Sequence, residues 1–183
     1  RIVPTGIETE YGKVYELDVL VLATGFDAAA FSLPTKVTGE HGRDLGEARD
    51  GSPRAHRAVA MPGFPNFWMV EGPTGPVGNL SLISISEHQI DYIISMLNKM
   101  RDEKLDAIAP KQTSFDAYNH EMSERVPETV WASGGCDSWY FDKSGTPNLY
   151  PFPPDQYLND MHDPRFSEYR LIADISKIGR AHV

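Results

Sequence analysis

The sequence predicts an α/β fold, and two stretches carry that prediction. The first is residues 18–27, Asp-Val-Leu-Val-Leu-Ala-Thr-Gly-Phe-Asp, where the apolar run at 19–23 is unbroken rather than alternating. Such a run suits a strand covered on both faces, as in a parallel sheet. The second is a glycine-spaced loop at 71–79 that feeds the longest helical pattern of the chain, about 81–101. A chain of 183 residues can hold one domain with a core of its own.

The elements follow in order. Residues 6–9 and 13–16 flank Glu10, Tyr11 and Gly12, a hairpin turn in which glycine supplies the positive φ. The hairpin feeds the buried strand at 18–23. Residues 28–61 are punctuated by Gly39, Gly42, Gly46 and Gly51 and hold no period, so they read as an irregular excursion. Residues 62–66 form a turn and residues 67–70 a short buried strand. In the long helix Ile83, Ile90, Ile94 and Leu97 fall on one stripe, expected to face the core, and Pro110 lies beyond its end. Thr113 with Asp116 resembles a capping box for a second helix, with Phe115, Tyr118 and Met122 on one face and Pro127 as its stop. Residues 129–154 are loop-rich and aromatic, and a last short helix covers about 155–161.

Composition narrows the function classes. A net charge of −9 without a basic stripe argues against a nucleic-acid partner. No apolar run approaches the roughly 20 residues of a membrane span. One cysteine, Cys136, forms no internal disulfide and fits a reducing, cytoplasmic compartment. Arg1 in place of Met reads as a chain cut from something longer. Residues 177–183, Lys-Ile-Gly-Arg-Ala-His-Val, resemble a translated sequencing adapter and are set aside as a non-native tail.

The scattered histidines include no metal-binding pair, and no serine-nucleophile elbow occurs. Neither glycine fingerprint for a dinucleotide or nucleotide phosphate is complete. The strongest local signal is the loop before the long helix. Gly72, Gly75 and Gly78 let backbone N–H groups crowd toward a ligand, and a helix N-terminus adds roughly half a positive charge. The site suits an anion or negative charge that develops during a reaction; the same glycines also suit plain tight turns.

Six elements in register carry a resemblance: Ala23-Thr-Gly-Phe-Asp27, Pro62-Gly-Phe-Pro-Asn66, Gly72-Pro73, Asn79-x-Ser81, Glu87-x-Gln89 and Ser138-Trp-Tyr140. Together they resemble the C-terminal third of class B flavoprotein monooxygenases, the group that includes Baeyer–Villiger and flavin-containing monooxygenases, over about residues 6–169. The resemblance implies part of a two-domain, Rossmann-like FAD- and NAD(P)-binding fold. Residues 1–23 would be closing strands of the NADP domain, and 24–172 the C-terminal part of the FAD domain with an irregular aromatic-rich end. It implies FAD and NADP as cofactors, with Thr24, Gly25, Gly72, Pro73, Asn79, Leu80 and Ser81 at the cofactor and Trp139 and Tyr140 at a mobile loop over NADP and substrate. The implied reaction inserts one oxygen atom of O2 into a ketone or aldehyde via a C4a-peroxyflavin. No catalytic residue is expected within these residues, since the family's catalytic arginine and both glycine fingerprints belong upstream. Tyr150 stands where the family often has Trp, which bears on substrate shape. Two alternatives stay open: a sister N- or S-oxygenating enzyme or pyridine-nucleotide reductase, and a truncated chain with no independent function.

Overall fold

The computed structural model describes residues 1–25, 30–31, 35–49, 52–135 and 138–177. Phe26, Asp27, Cys136 and residues 178–183, including most of the expected tail, lie outside them. Strands β1 (Ile2–Val3), β2 (Gly6–Glu8) and β3 (Val14–Glu16) form an antiparallel meander in that order, with Ile7 opposite Tyr15. The expected hairpin turn is there, with Gly12 at φ 77°.

The buried strand expected at 18–23 is a correction. These residues form no strand, and Val19, Val21 and Leu22 are 75%, 78% and 73% exposed. A central parallel strand exists through neighbours on both edges and helices on both faces. The described residues place none around it.

The core lies further along. A short helix α1 (Leu45–Ala48) breaks the excursion expected at 28–61; its cap is the Asp44 side chain, which accepts from Gly46 N at 2.8 Å and Glu47 N at 3.2 Å. Residues 67–70 are not a strand; only an isolated bridge joins Trp68 to Ala60. Helix α2 (Leu82–Glu103) begins and ends close to its expected bounds, but its inward face is a second correction. Ile85, Gln89, Tyr92 and Met96 are buried, while Ile83, Ile90, Ile94 and Leu97 are 74%, 45%, 46% and 50% exposed. The helix has two apolar faces, and the rest of the described chain covers the one with polar-tipped residues.

After α2, β4 (Ala107–Pro110) is buried throughout and pairs antiparallel with β5 (Tyr169–Ile172), Ile108 opposite Leu171. Between them run α3 (Gln112–Arg125), α4 (Val130–Ser133) and α5 (Pro154–His162). The expected Thr113/Asp116 box does not form: Lys111 is the cap residue, and Asp116 accepts from Gln112 Nε2 at 2.8 Å. α5 packs against α2, and Ala58, Val59, Ile85, Tyr92, Tyr150 and Tyr157 share one apolar cluster. The turn Arg57–Ala58 inside that cluster is unusual. Both residues are left-handed, at φ 54° and 60°, and Val59 N donates to His56 O at 3.1 Å. Such hairpin turns ordinarily use Asn-Gly, and each side chain held there costs about 1–2 kcal/mol.

Candidate functional site

Residues 71–81 cross from the Ala58 turn to the start of α2. Glu71 and Thr74 are left-handed, at φ 56° and 65°. Gly72 is required by close approach: a Cβ there would lie 2.2 Å from the Ala58 carbonyl oxygen. The loop is pinned on two more sides. Tyr150 N donates to Gly75 O at 3.1 Å, and Glu71 N donates to Gln89 Oε1 at 2.7 Å. Residues 72–76 are buried, whereas Gly78, Asn79 and Ser81 are exposed.

At the loop's exposed end the N-terminus of α2 lacks both usual compensations. The Ser81 side chain makes no cap hydrogen bond, and no acidic residue stands in the first turn. The first-turn N–H groups therefore keep their partial positive charge for a ligand. The chemistry of this end fits an anionic group.

On the other side of the loop is an apolar pocket of about 150 Å³, with Gly72, Thr74, Gly75 and Val77 on one wall and Trp139, Tyr140 and Phe141 on another. Trp139 stacks on Tyr140, with ring centroids 3.9 Å apart and planes at 27°, and is 68% exposed. Tyr140 meets Trp131 edge-on at 5.6 Å, and Trp131 lies against Gly78, so the aromatics brace the loop. The segment is rooted at Asp142. Its carboxylate accepts from Ser52 Oγ at 2.6 Å and Ser144 N at 2.8 Å. Partial burial pushes that carboxyl up, but these hydrogen bonds outweigh it and hold it below the usual range. Glu71 also faces the pocket. Burial raises its carboxyl against the hydrogen bond from Ser86 Oγ, at 3.0 Å.

The structure therefore brings together Gly72, Trp139 and Tyr140 around one pocket, with Pro73 buried behind the wall. Asn79 and Ser81 stand at the exposed loop end, and Leu80 packs partly against the core. Thr24 and Gly25 are not brought to the site; both are exposed, and nothing lies within 4 Å of where a Gly25 side chain would start. Tyr150, expected to bear on substrate shape, is 1% exposed and belongs to the core.

A polar cluster at His56 and Arg57 was not expected from the sequence. The Glu168 carboxylate accepts from Arg57 Nε at 3.1 Å and Nη2 at 3.0 Å, and lies 2.9 Å from His56 Nε2; Asp160 is 2.9 Å from Arg57 Nη1. Burial pushes Glu168 up, but the His56 and Arg57 hydrogen bonds and the Arg57 charge outweigh it and hold the carboxyl at about 2. A carboxylate only accepts, so His56 Nε2 carries the proton. Burial is the main reason His56 sits below its ordinary value, against the opposing pull of Glu168.

No protein-family profile matches the chain. An uncharacterized monooxygenase of Mycobacterium tuberculosis is 40% identical over 171 residues, 92% of this chain and 34% of that protein. A Baeyer–Villiger monooxygenase of Streptomyces coelicolor is 32% identical over 163 residues, 88% of this chain and 31% of that protein. Among solved structures, a closed form of cyclohexanone monooxygenase superposes with a TM-score of 0.81 at 28% identity, over 94% of this chain and 34% of that one. Cyclohexanone monooxygenase from Rhodococcus sp. Phi1, bound to NADP+, gives 0.77 at 27% identity, over 93% and 33%. The chain thus spans about a third of the length of the relatives it matches. The mixed α/β fold expected from the sequence agrees with these neighbours.

Proposed function

The chain belongs to the flavin-dependent monooxygenase family of its Baeyer–Villiger relatives, and on that premise we propose that it forms the part of an FAD- and NADPH-dependent monooxygenase that closes the flavin's pyrimidine edge. The observation that carries this reading is the uncapped N-terminus of α2, set beside an apolar pocket walled by the glycine loop and the Trp139–Tyr140 pair. In the reading, residues 1–23 close the NADP domain and 24–172 complete the FAD domain. The substrate is a ketone or aldehyde, and O2 is the co-substrate. The bound flavin supplies reducing electrons and activates O2.

The chain's own residues bind and shield. N–H groups at the exposed end of the loop and in the first turn of α2 would hold the flavin edge that gains negative charge on reduction, where a helix N-terminus is worth about 0.3–2 kcal/mol. Trp139 and Tyr140 cover the pocket and exclude water, which strengthens every electrostatic contact inside it. A donor set made of backbone amides fits this work, because it stabilises charge without itself giving up a proton.

The test is the FAD-loaded protein at the length of its relatives, given NADPH, O2 and a cyclic ketone, with lactone as the readout. Lactone formed at the expense of NADPH is the expected result. Sulfoxide or N-oxide from the matching substrates, with no lactone, moves the reading to heteroatom oxygenation on the same scaffold. Absence of bound FAD overturns it. The 183-residue chain alone is expected to hold FAD poorly, since it contains neither glycine fingerprint for a pyrophosphate.

A further inference from the structure

Glu87-x-Gln89 is a motif of the sequence to which the site gives no role on the pocket wall, yet Gln89 is 0% exposed. A buried amide must place two donors and an acceptor, so its partners report what it is for. Gln89 Oε1 accepts from Glu71 N at 2.7 Å; Gln89 Nε2 donates to Tyr157 Oη at 2.6 Å; Tyr157 Oη donates to Arg57 O at 2.9 Å. The direction of this chain is fixed by chemistry. Glu71 N–H can only donate, so the amide oxygen faces it and the amide nitrogen faces the tyrosine. Tyr157 then accepts, and its single proton is left for the Arg57 carbonyl, which can only accept.

We propose that Gln89 is a positioning residue that sets the height of the glycine loop above α2, and so the placement of the amides that meet the flavin edge. The inference rests on the proposed function and deepens it. Three observations support it. The chain of bonds begins at Glu71, the left-handed residue where the loop starts. It ends at Arg57, in the left-handed turn whose next carbonyl, that of Ala58, is the surface that Gly72 presses against. The loop is thus held twice to one turn, by backbone contact at Gly72 and through Gln89 and Tyr157. Finally, Gln89 sits two turns inside α2, so the same helix that presents its N-terminus also fixes the loop in front of it. Strained backbone of this kind persists only where surrounding bonds over-determine it.

The experiment uses the FAD-loaded, relative-length enzyme and two variants, with flavin reduction potential and melting temperature read on each preparation. Gln89→Met keeps the volume and removes both bonds. Tyr157→Phe removes the two outer bonds, those to Gln89 Nε2 and Arg57 O, and leaves Glu71 N held by Gln89 Oε1. Both are expected to keep FAD, and Gln89→Met to weaken the preference for reduced over oxidised flavin about three- to tenfold, the reach of one or two hydrogen bonds. Tyr157→Phe moves it the same way by less. Met96→Val, buried on the same face of α2, is the control that lowers melting temperature without moving the potential. Unmoved potentials in variants that retain FAD overturn the inference, whatever the melting temperature does. Where Gln89→Met does not fold, Tyr157→Phe decides alone. A parent protein that never binds FAD defeats the proposed function instead, which keeps the two failures apart.

Discussion

Two apolar runs of four residues meet opposite fates. Val19, Leu20, Val21 and Leu22 are 75%, 38%, 78% and 73% exposed, while Ala58, Val59, Ala60 and Met61 are 0%, 0%, 1% and 3% exposed. The exposed run is the more hydrophobic of the two. What buries the second is its surroundings: α2 and β4 supply Ile85, Tyr92 and Ile108 to the cluster that holds Ala58, Val59 and Ala60, Met61 packs with Leu45 and Phe64 in a second cluster, and the turn at the start of the run is tied to Glu168. The faces of α2 repeat the contrast, since Ile83 and Leu97 stay exposed and Gln89 is enclosed. Hydrophobicity states what a segment gains from burial; the neighbours decide whether the gain is realised.

A charge placed in each run breaks the comparison most sharply. Val59→Asp sets an unpaired carboxylate at a site with 0% exposure, which costs at least about 3 kcal/mol and is expected to abolish cooperative melting. Val21→Asp in the same chain is expected to stay within about 0.5 kcal/mol, as for ordinary surface changes, and to raise soluble yield. Thermal melts of the two variants side by side decide it. Equal losses would mean that the first run is packed in solution and the contrast is false.

The acid response of the second run's anchor is the next largest effect. Glu168 is held at about 2 against an ordinary 4.5, so its ionised form stabilises the fold above the ordinary value and that stability drains as pH falls toward about 2. The difference is worth on the order of 2–3 kcal/mol. His56 acts with the same sign. Its value in the folded protein lies below 6.5, so the folded state binds fewer protons than the unfolded one, and stability begins to fall as pH drops below 6.5. Denaturant melts from pH 7 to 2.5 should therefore show two stages of loss. In Glu168→Gln the lower stage should shrink. A single stage unchanged by that substitution would remove Glu168 as the anchor.

The same contrast explains what could be read from the sequence. The hairpin at Gly12, the extents of α2 and α5 and the end of α3 just before Pro127 are local features, set by turn chemistry and period, and they stand as expected. Gly72, Trp139 and Tyr140, singled out by their motifs, line one pocket, because that pocket is assembled around the segments that contain them. Two kinds of feature were not legible. One is burial by distant partners: Glu168 lies 112 positions from His56, Tyr157 lies 68 from Gln89, and β4 finds its partner only at β5. An apolar count assigns α2 the wrong inward face because the buried one includes Gln89 and Tyr92, whose polar tips are satisfied by groups outside the helix: Glu71 N and Tyr157 for Gln89, Tyr169 for Tyr92. The other is the strand at 18–23, which was read correctly as apolar and incorrectly as enclosed.

The smallest effect on stability belongs to Trp139, and it bears most directly on function. At 68% exposure Trp139 is not core packing, so its truncation forfeits little beyond its stacking on Tyr140, about 0.5–1.5 kcal/mol. A large aromatic face left in water has a cost of its own, and the pocket wall beneath it is apolar. In the FAD-loaded enzyme, Trp139→Ala is expected to leave FAD content and melting temperature nearly normal while admitting water to the pocket. The share of NADPH that ends as hydrogen peroxide should rise, and the share that ends as oxygenated product should fall. Trp139→Phe keeps a stacking ring over Tyr140 and should lie between the two. Peroxide yield per NADPH, product yield and melting temperature on one preparation separate the possibilities. A large drop in melting temperature would place Trp139 among the buried aromatics, as Tyr150 is. Unchanged coupling in both variants would show that the exposed aromatic pair shields nothing, and that the glycine loop closes the site without it.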